Sequence, residues 1–318
     1  MRVATYNLES LDLVGEFERR AAALRSHLER IDADILCLQE VNAQAGPAGG
    51  PRQLAALDAL LAGTGYASFQ RAVTSGPGGH GAADVHNLVT LSRWPIAGER
   101  DYLHHFVDPP LYRPVTADPV PDRECPIRWD RPILYTAIEH PAAWTLHVIN
   151  MHLRAPLAAP IEGQKTGPFS WKGVGPWAEG FYIAALKRSG QALEARLVVE
   201  RLFDADPKAR IVVCGDCNAE AREMPLRILC GDPDDVGTPA LAERRLVAVE
   251  ERLAEARRFS LRHGGHRLML DHILVSPALD ADLVGVEIDN RDLDDECVTD
   301  RPTSGSFHAP MVAVIETS

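Results

Sequence analysis

Apolar positions along this chain change period from one segment to the next. Val3–Leu8 reads as a short strand. From Glu16 to Ile31 the apolar residues Phe17, Ala21, Leu24, Leu28 and Ile31 fall at three- and four-residue steps, which predicts an amphipathic helix. Asp34–Val41 is mostly apolar and ends in polar residues, the pattern of a strand buried on both faces. Pro51–Leu61 reads as helical, with Pro51 tolerated in a first turn. Val85–Leu91 is another strand, and Ile133–His140 and Thr145–Leu153 flank Pro141-Ala142-Ala143-Trp144 as an antiparallel hairpin. A long helix is expected over Glu179–Phe203, a buried strand over Ile211–Cys214, and two late strands over Leu270–Val275 and Pro310–Ile315.

Strands alternate with helices in places and pair as hairpins in others, so the expectation is α/β with mixed sheets packed by helices. No repeat or linker stands out, and residues 1–318 read as a single domain. Two stretches interrupt the pattern. Residues 104–131 are rich in Pro, Arg and Asp, and 155–182 in Pro, Gly and aromatics; loops of that length tend to be lids or binding loops.

Composition narrows the function. With 46% hydrophobic and 25% charged residues the chain is globular. Its net charge of -12 disfavours a long nucleic acid as partner, because such affinity comes largely from neutralising phosphates. A nuclease stays possible, since bound metal ions reverse the field locally. The six cysteines have no disulfide-framework spacing. Met1-Arg2-Val3-Ala4 has no apolar signal core and no run approaches the roughly 18 residues of a transmembrane segment, so a reducing cytoplasm is the expected location. Oligomeric state is unreadable.

The informative feature is where apolar runs end: Tyr6-Asn7, Leu38-Gln39-Glu40, Ile149-Asn150-Met151-His152, Val213-Cys214-Gly215-Asp216-Cys217-Asn218, and His308 before Pro310. Such strands deliver acids, amides and imidazoles to the rim of the core. Converging oxygen ligands suit Mg²⁺ or Mn²⁺, and histidines and amides can bind phosphate oxygens.

In order, Ala4-Thr5-Tyr6-Asn7, Asp34–Val41, Asn87–Ile96, Asn150-Met151-His152-Leu153, Gly215-Asp216-Cys217-Asn218, Leu270–Leu274 and Ser306–Pro310 resemble the signatures of the endonuclease/exonuclease/phosphatase superfamily. Arg188 and Gln191 fall where that family often has an Arg-x-x-Gln helix. The resemblance runs from residue 3 to 315. It implies a four-layer α/β sandwich, two mixed β-sheets packed face to face with helices outside. It also implies hydrolysis of a phosphorylated substrate by metal- and Asp-activated water. Glu40 would be the main metal ligand with Asn7 beside it. Asp216 would activate water, and Asn218 would hold that water or a phosphate oxygen. His152 would stabilise transition-state charge, and Asp271 would orient His308 to contact phosphate or transfer a proton.

One departure stands out. Where the last motif normally reads Ser-Asp-His, Phe307 replaces the acid, so a weaker or rearranged metal site is expected. Asp294, Asp295 or Asp300 are candidates to compensate, and Phe307→Asp is expected to tighten Mg²⁺ or Mn²⁺ binding. Three functions follow: a phosphodiesterase for a small or modest-sized substrate, a nuclease for DNA or RNA, or a weakened member that binds a phosphorylated ligand. The loop at 155–182 carries Lys165, Phe169, Trp171, Lys172, Trp177, Phe181 and Tyr182, which fit a stacking surface, a packed flap or a lipid contact. Arg123, Arg128 and Arg131 would add local positive charge. Taken singly, each residue has a plain structural reading: Asp216 and Asn218 suit a turn, Glu40 a surface ion pair. Cys214-x-x-Cys217, lacking a second pair, reads as core cysteine, Asp292–Glu296 as a solvated acidic loop, and His104-His105 as loop residues without a metal.

Overall fold

The computed structural model describes residues 1–47, 50–76, 79, 81–232, 235, 237–300 and 302–317. Its principal strands are β1 (Arg2–Leu11), β2 (Ile35–Val41), β3 (Gln70–Val73), β4 (Asn87–Ser92), β5 (Ile96–Tyr102), β6 (Ile133–His140), β7 (Trp144–His152), β8 (Arg210–Asp216), β9 (Val247–Ala248), β10 (Asp271–Val275), β11 (Leu283–Ile288) and β12 (Met311–Ile315). They form two six-stranded sheets, ordered β11-β12-β1-β2-β4-β3 and β9-β10-β8-β7-β6-β5. Each sheet has one parallel pair near its centre, β1 with β2 and β7 with β8, and antiparallel pairs elsewhere.

Both sheets are covered on both faces, which is why the central strands read as unbroken apolar runs. Outward-facing Tyr6, Leu8, Leu36 and Leu38 pack against Leu24, Leu28, Leu57 and Leu60 of helices α1 (Phe17–Ile31) and α2 (Ala55–Leu61). Inward-facing Val3, Ile35 and Cys37 meet Val148, Val212, Cys214 and Ile273 of the other sheet. On the far side Ile149, Met151, Ile211 and Val213 pack under α3 (Val174–Ala205) and α4 (Met224–Cys230). Each fully buried leucine or isoleucine in these layers contributes about 1.5–3 kcal/mol. The four-layer sandwich implied by the motifs is therefore the observed architecture.

Two boundaries differ from the sequence reading. The second helix starts at Ala55, because Gln53 is drawn into a two-way backbone bridge with Gln44 at 2.8 and 3.0 Å, leaving Pro51 outside the helix. The long helix begins at Val174, so the later part of the aromatic stretch 155–182 is helical. The two long loops also pack on each other: Ala117, Ile127, Ala159, Ile161 and Ile183 are buried together. Glu179 accepts hydrogen bonds from the Tyr112 hydroxyl and the Val115 and Thr116 amides at 2.8, 2.6 and 2.9 Å. About four turns further along α3, buried Glu194 accepts the amides of His105, Phe106 and Val107. Helix acids thus satisfy the backbone of a stretch that has few partners of its own.

Candidate active site

Residues i and i+2 of a strand share a face, so the inward row of each central strand can be followed to its end. On β1 it runs Val3, Thr5, Asn7; on β2, Ile35, Cys37, Gln39; on β7, Val148, Asn150, His152; on β8, Val212, Cys214, Asp216. All four rows turn polar at the same end. Parallel pairing puts the ends of β7 and β8 side by side, with Asp216 opposite His152 in register, and antiparallel β10 brings Asp271 opposite Asp216. Below this rim, Gln39 donates to Asn150 Oδ1 at 2.8 Å and Asn150 donates to the carbonyls of Leu38 and Val89, joining the two sheets through satisfied polar groups.

The seven expected residues meet here. Asn7 Nδ2 lies 3.2 Å from Glu40 Oε1 and 3.0 Å from Asp216 Oδ2, while its Oδ1 accepts the Glu9 amide at 2.8 Å. After Asn7 the strand bulges, and Glu9 and Ser10 take positive φ angles of 48° and 53°. That bend turns the Ser10 amide and hydroxyl onto Glu40 Oε2 at 3.0 and 3.1 Å. Glu40 itself sits at φ 57°, a costly conformation for a non-glycine residue, held by these contacts. Burial works against its charge, but His86, His152 and Asn7 together hold its carboxyl below the usual carboxylate range.

Asp216 is buried, and Asn218 binds both its oxygens, N–H to Oδ1 at 2.8 Å and Nδ2 to Oδ2 at 3.2 Å. Burial and the neighbouring Asp271 push Asp216 up to about 7. His308 Nδ1 pairs with Asp271 Oδ2 at 2.7 Å, and its Nε2 stands 4.0 Å from Asp216 Oδ2. Burial opposes the imidazolium, yet Asp271, Asp216 and Glu40 raise His308 to about 10. His152 Nε2 is 3.4 Å from Asp216 Oδ2 and 3.7 Å from Glu40 Oε1. Burial, reinforced by Arg131, keeps this ring well below the histidine range and therefore neutral.

Five contributors were not assigned to the site from sequence. Arg131 donates to His152 Nδ1. Its own carbonyl is held by Gln191 at 3.2 Å, and Arg188 donates to the Asn218 carbonyl at 2.6 Å, so the Arg-x-x-Gln pair braces two site loops. Ser306 accepts the His308 amide and donates to the Asn7 carbonyl at 2.8 Å, tying the last motif to the first. His86 faces Glu40. The only advance sign of His86 was its place beside Asn87 at the head of a motif.

Among the described residues, two groups of side chains can bring ligand atoms within 4.8 Å of one another: Glu40, His86 and His152, and Asp216, Asp271 and His308. In the second, the 2.7 Å contact is a hydrogen bond that already occupies Asp271 and His308. Each group keeps one buried atom without a hydrogen bond, Asp271 Oδ1 in the second and His86 Nδ1 in the first. The first suits a divalent ion better, because His86 Nδ1 stands 3.5 Å from Glu40 Oε2, too far to lock the two together as the shorter Asp271–His308 bond does. Phe307 is buried where the acid was expected. Asp294 is spent on Thr303 and Asp295 on the amides of Gly264, Gly265 and Cys297, so neither replaces it. Cys214 and Cys217 are buried free thiols, and His104 binds the Val107 carbonyl and the Trp129 amide.

Residues 4–300 match the Endonuclease/Exonuclease/phosphatase family. The chain belongs to that family. It is accordingly a phosphoester hydrolase. No curated protein matches it. Among solved structures it resembles a 3' phosphatase from Neisseria bound to a product DNA hairpin, at 19% identity over 100% of both chains with a TM-score of 0.53. It also resembles a truncated Caenorhabditis elegans TDP2, at 14% identity over 100% of this chain and 98% of that one with a TM-score of 0.58. A third likeness is an endonuclease/exonuclease/phosphatase from Beutenbergia cavernae, at 18% identity over 98% of this chain and 70% of that one with a TM-score of 0.53. At these identities the likeness speaks for the fold. Among the described residues no helix is long and apolar enough to cross a membrane.

Proposed function

We propose that this family member hydrolyses a phosphodiester of small or modest size with water activated by Asp216. The observation carrying the reading is the environment of one atom. Asp216 Oδ2 has Asn7 at 3.0 Å, Asn218 at 3.2 Å, His152 at 3.4 Å and His308 at 4.0 Å, all capable of donating. A buried carboxylate raised to about 7 suits a general base working near neutral pH. Arg131, a donor only, occupies His152 Nδ1, so the ring's proton sits on Nε2, directed at Asp216 and Glu40, where it would serve a phosphoryl oxygen as a fixed donor. His308, kept protonated by Asp271, supplies positive charge to the phosphoryl oxygens. Asn7 bridges the two carboxylates and Asn218 fixes the orientation of Asp216. A divalent ion held at Glu40, Mg²⁺ or Mn²⁺ in the simplest case, would polarise the phosphoryl group and offset charge on the leaving oxygen.

The test is metal-dependent release of nitrophenol from bis(p-nitrophenyl) phosphate, expected to vanish in Asp216→Ala and His308→Ala. Turnover unchanged in either variant overturns the assignment. No turnover with any divalent ion favours the weakened phosphate-ligand binder. The nuclease reading is favoured by one feature: Phe169, Trp177, Phe181 and Tyr182 are exposed, with Trp177 and Phe181 stacked at 5.5 Å, as a base-stacking surface would be. The charge of -12 weighs against long nucleic acid. Nicking of plasmid DNA decides between the two.

A further inference from the structure

His86 is unused by the chemistry above, yet its placement is constrained. Its backbone adopts φ 58°, in the left-handed region that few non-glycine residues enter, and its amide is bound by Asn42 Oδ1 at 3.1 Å. The ring stands edge-on to His152 at 6.1 Å between centroids. Its Nδ1 is closed to solvent, makes no hydrogen bond, and lies 3.5 Å from Glu40 Oε2. Two donors on one ion, with bonds of about 2.0–2.2 Å, sit roughly 3–3.5 Å apart. A positive-φ backbone that sets this nitrogen at ion-pair distance from a carboxylate oxygen, with no shorter hydrogen bond to hold it, gives the spacing of a ligand pair.

His152 cannot play the same part. An imidazole ligating through Nε2 carries its proton on Nδ1, and that position faces the guanidinium of Arg131, which has no acceptor. Across the site, Phe307 stands where the resemblance implied an acid, and its amide is taken by Glu9 Oε2 at 2.8 Å.

We infer that His86 Nδ1 and Glu40 Oε2 ligate the same divalent ion, so that this site carries a nitrogen ligand and prefers Mn²⁺, Co²⁺ or Zn²⁺ to Mg²⁺. Imidazole suits the later transition ions, whereas Mg²⁺ favours oxygen. The inference rests on the metal-dependent reading of Glu40 and deepens it by naming the class of ion.

The test compares the wild-type chain with His86→Asn, His86→Ala and Glu40→Gln by titration calorimetry and by pulsed EPR of the Mn²⁺-loaded protein. Asparagine tolerates the left-handed backbone, so the first variant folds, as melting curves will verify. Wild type is expected to bind Mn²⁺ or Co²⁺ at least about tenfold more tightly than Mg²⁺ and to show nitrogen modulation from one imidazole. Both His86 variants lose the modulation and about tenfold in Mn²⁺ affinity, with Mg²⁺ affinity changed by less than about threefold. Nitrogen modulation surviving in both, or Mg²⁺ bound as tightly as Mn²⁺ by wild type, overturns the inference while leaving Glu40 as the metal residue. Failure of wild type to bind any divalent ion, or binding unaffected in Glu40→Gln, overturns the metal reading itself.

Discussion

Replacing Asp271 with asparagine probes the proton ordering of the site at nearly constant volume. Asp271 is 1% exposed and Oδ2 receives His308 Nδ1 at 2.7 Å, so in the variant an amide oxygen still accepts that proton from a neutral ring. It no longer balances an imidazolium. A hydrogen bond to a charged group contributes about 1.5–3 kcal/mol, which converts to a loss of roughly 10- to 150-fold in kcat/KM if the charge is needed in the transition state. The loss should appear in kcat more than in KM. With the other supports unchanged, His308 falls from about 10 toward the ordinary histidine value, so the alkaline limb of kcat/KM moves down with it. Stability carries the same signature. A group raised from about 6.5 to about 10 on folding contributes fully below 6.5, and that contribution is lost as pH rises through 10. The variant should therefore be most destabilised near pH 6 and approach wild type above about pH 10. Both profiles come from bis(p-nitrophenyl) phosphate kinetics and thermal melting across that range. An alkaline limb that stays in place refutes the idea that Asp271 keeps His308 charged.

Three further outcomes follow from geometry. Gly215 has φ 135°, and a Cβ there would lie 1.9 Å from the Met151 carbonyl oxygen, so Gly215→Ala should separate β7 from β8 and cost more than about 3 kcal/mol; wild-type melting would contradict it. Asn150→Ala strips partners from Gln39 and from the Leu38 and Val89 carbonyls, and should lower stability in urea by about 1–3 kcal/mol, where no change would mean the inter-sheet bridge contributes nothing. His272 is fully buried; burial opposes its charge, but Glu250 at 2.5 Å and the Ala219 carbonyl raise it to about 8. Its contribution is complete below about 6.5 and lost as pH rises through about 8, a slope in unfolding free energy that Glu250→Gln should flatten.

The chemistry legible in the sequence was that of strand ends. Glu40, His152 and Asp216 terminate apolar runs, and a carboxylate or imidazole following such a run has one place to go. Helix α1 was readable for a related reason: five buried residues at regular steps match the observed buried face. The contributors that escaped lack a periodic neighbourhood. Arg131 lies at the end of a Pro-, Arg- and Asp-rich loop, and the pairing of β6 with β7 just beyond it, with Gln191 on its carbonyl, brings it to His152. His86 owes its role to Glu40, far away in sequence. Strand β5 escaped because its residues are largely exposed or half-exposed and show no clear alternation. The first turns of α3 contain Gly175 and Pro176, which read as loop formers, and the helical continuation is tied to the neighbouring loop through Glu179.

The pairing of β12 with β1 has a consequence for when the enzyme becomes active. Arg2 sits opposite Val314, and Ser306 holds the Asn7 carbonyl across 299 positions of sequence. Asn7 and Glu40 leave the ribosome long before the histidine opposite them. Until that final strand docks, Asp271 has no imidazole to hold and Asn7 no hydroxyl on its carbonyl. A chain in which β12 has not yet docked should therefore be inert toward phosphoesters, and its hydrolytic power should arrive with that docking. Contacts so distant in sequence also make that step slow, so newly made protein should gain activity well after it gains helical signal.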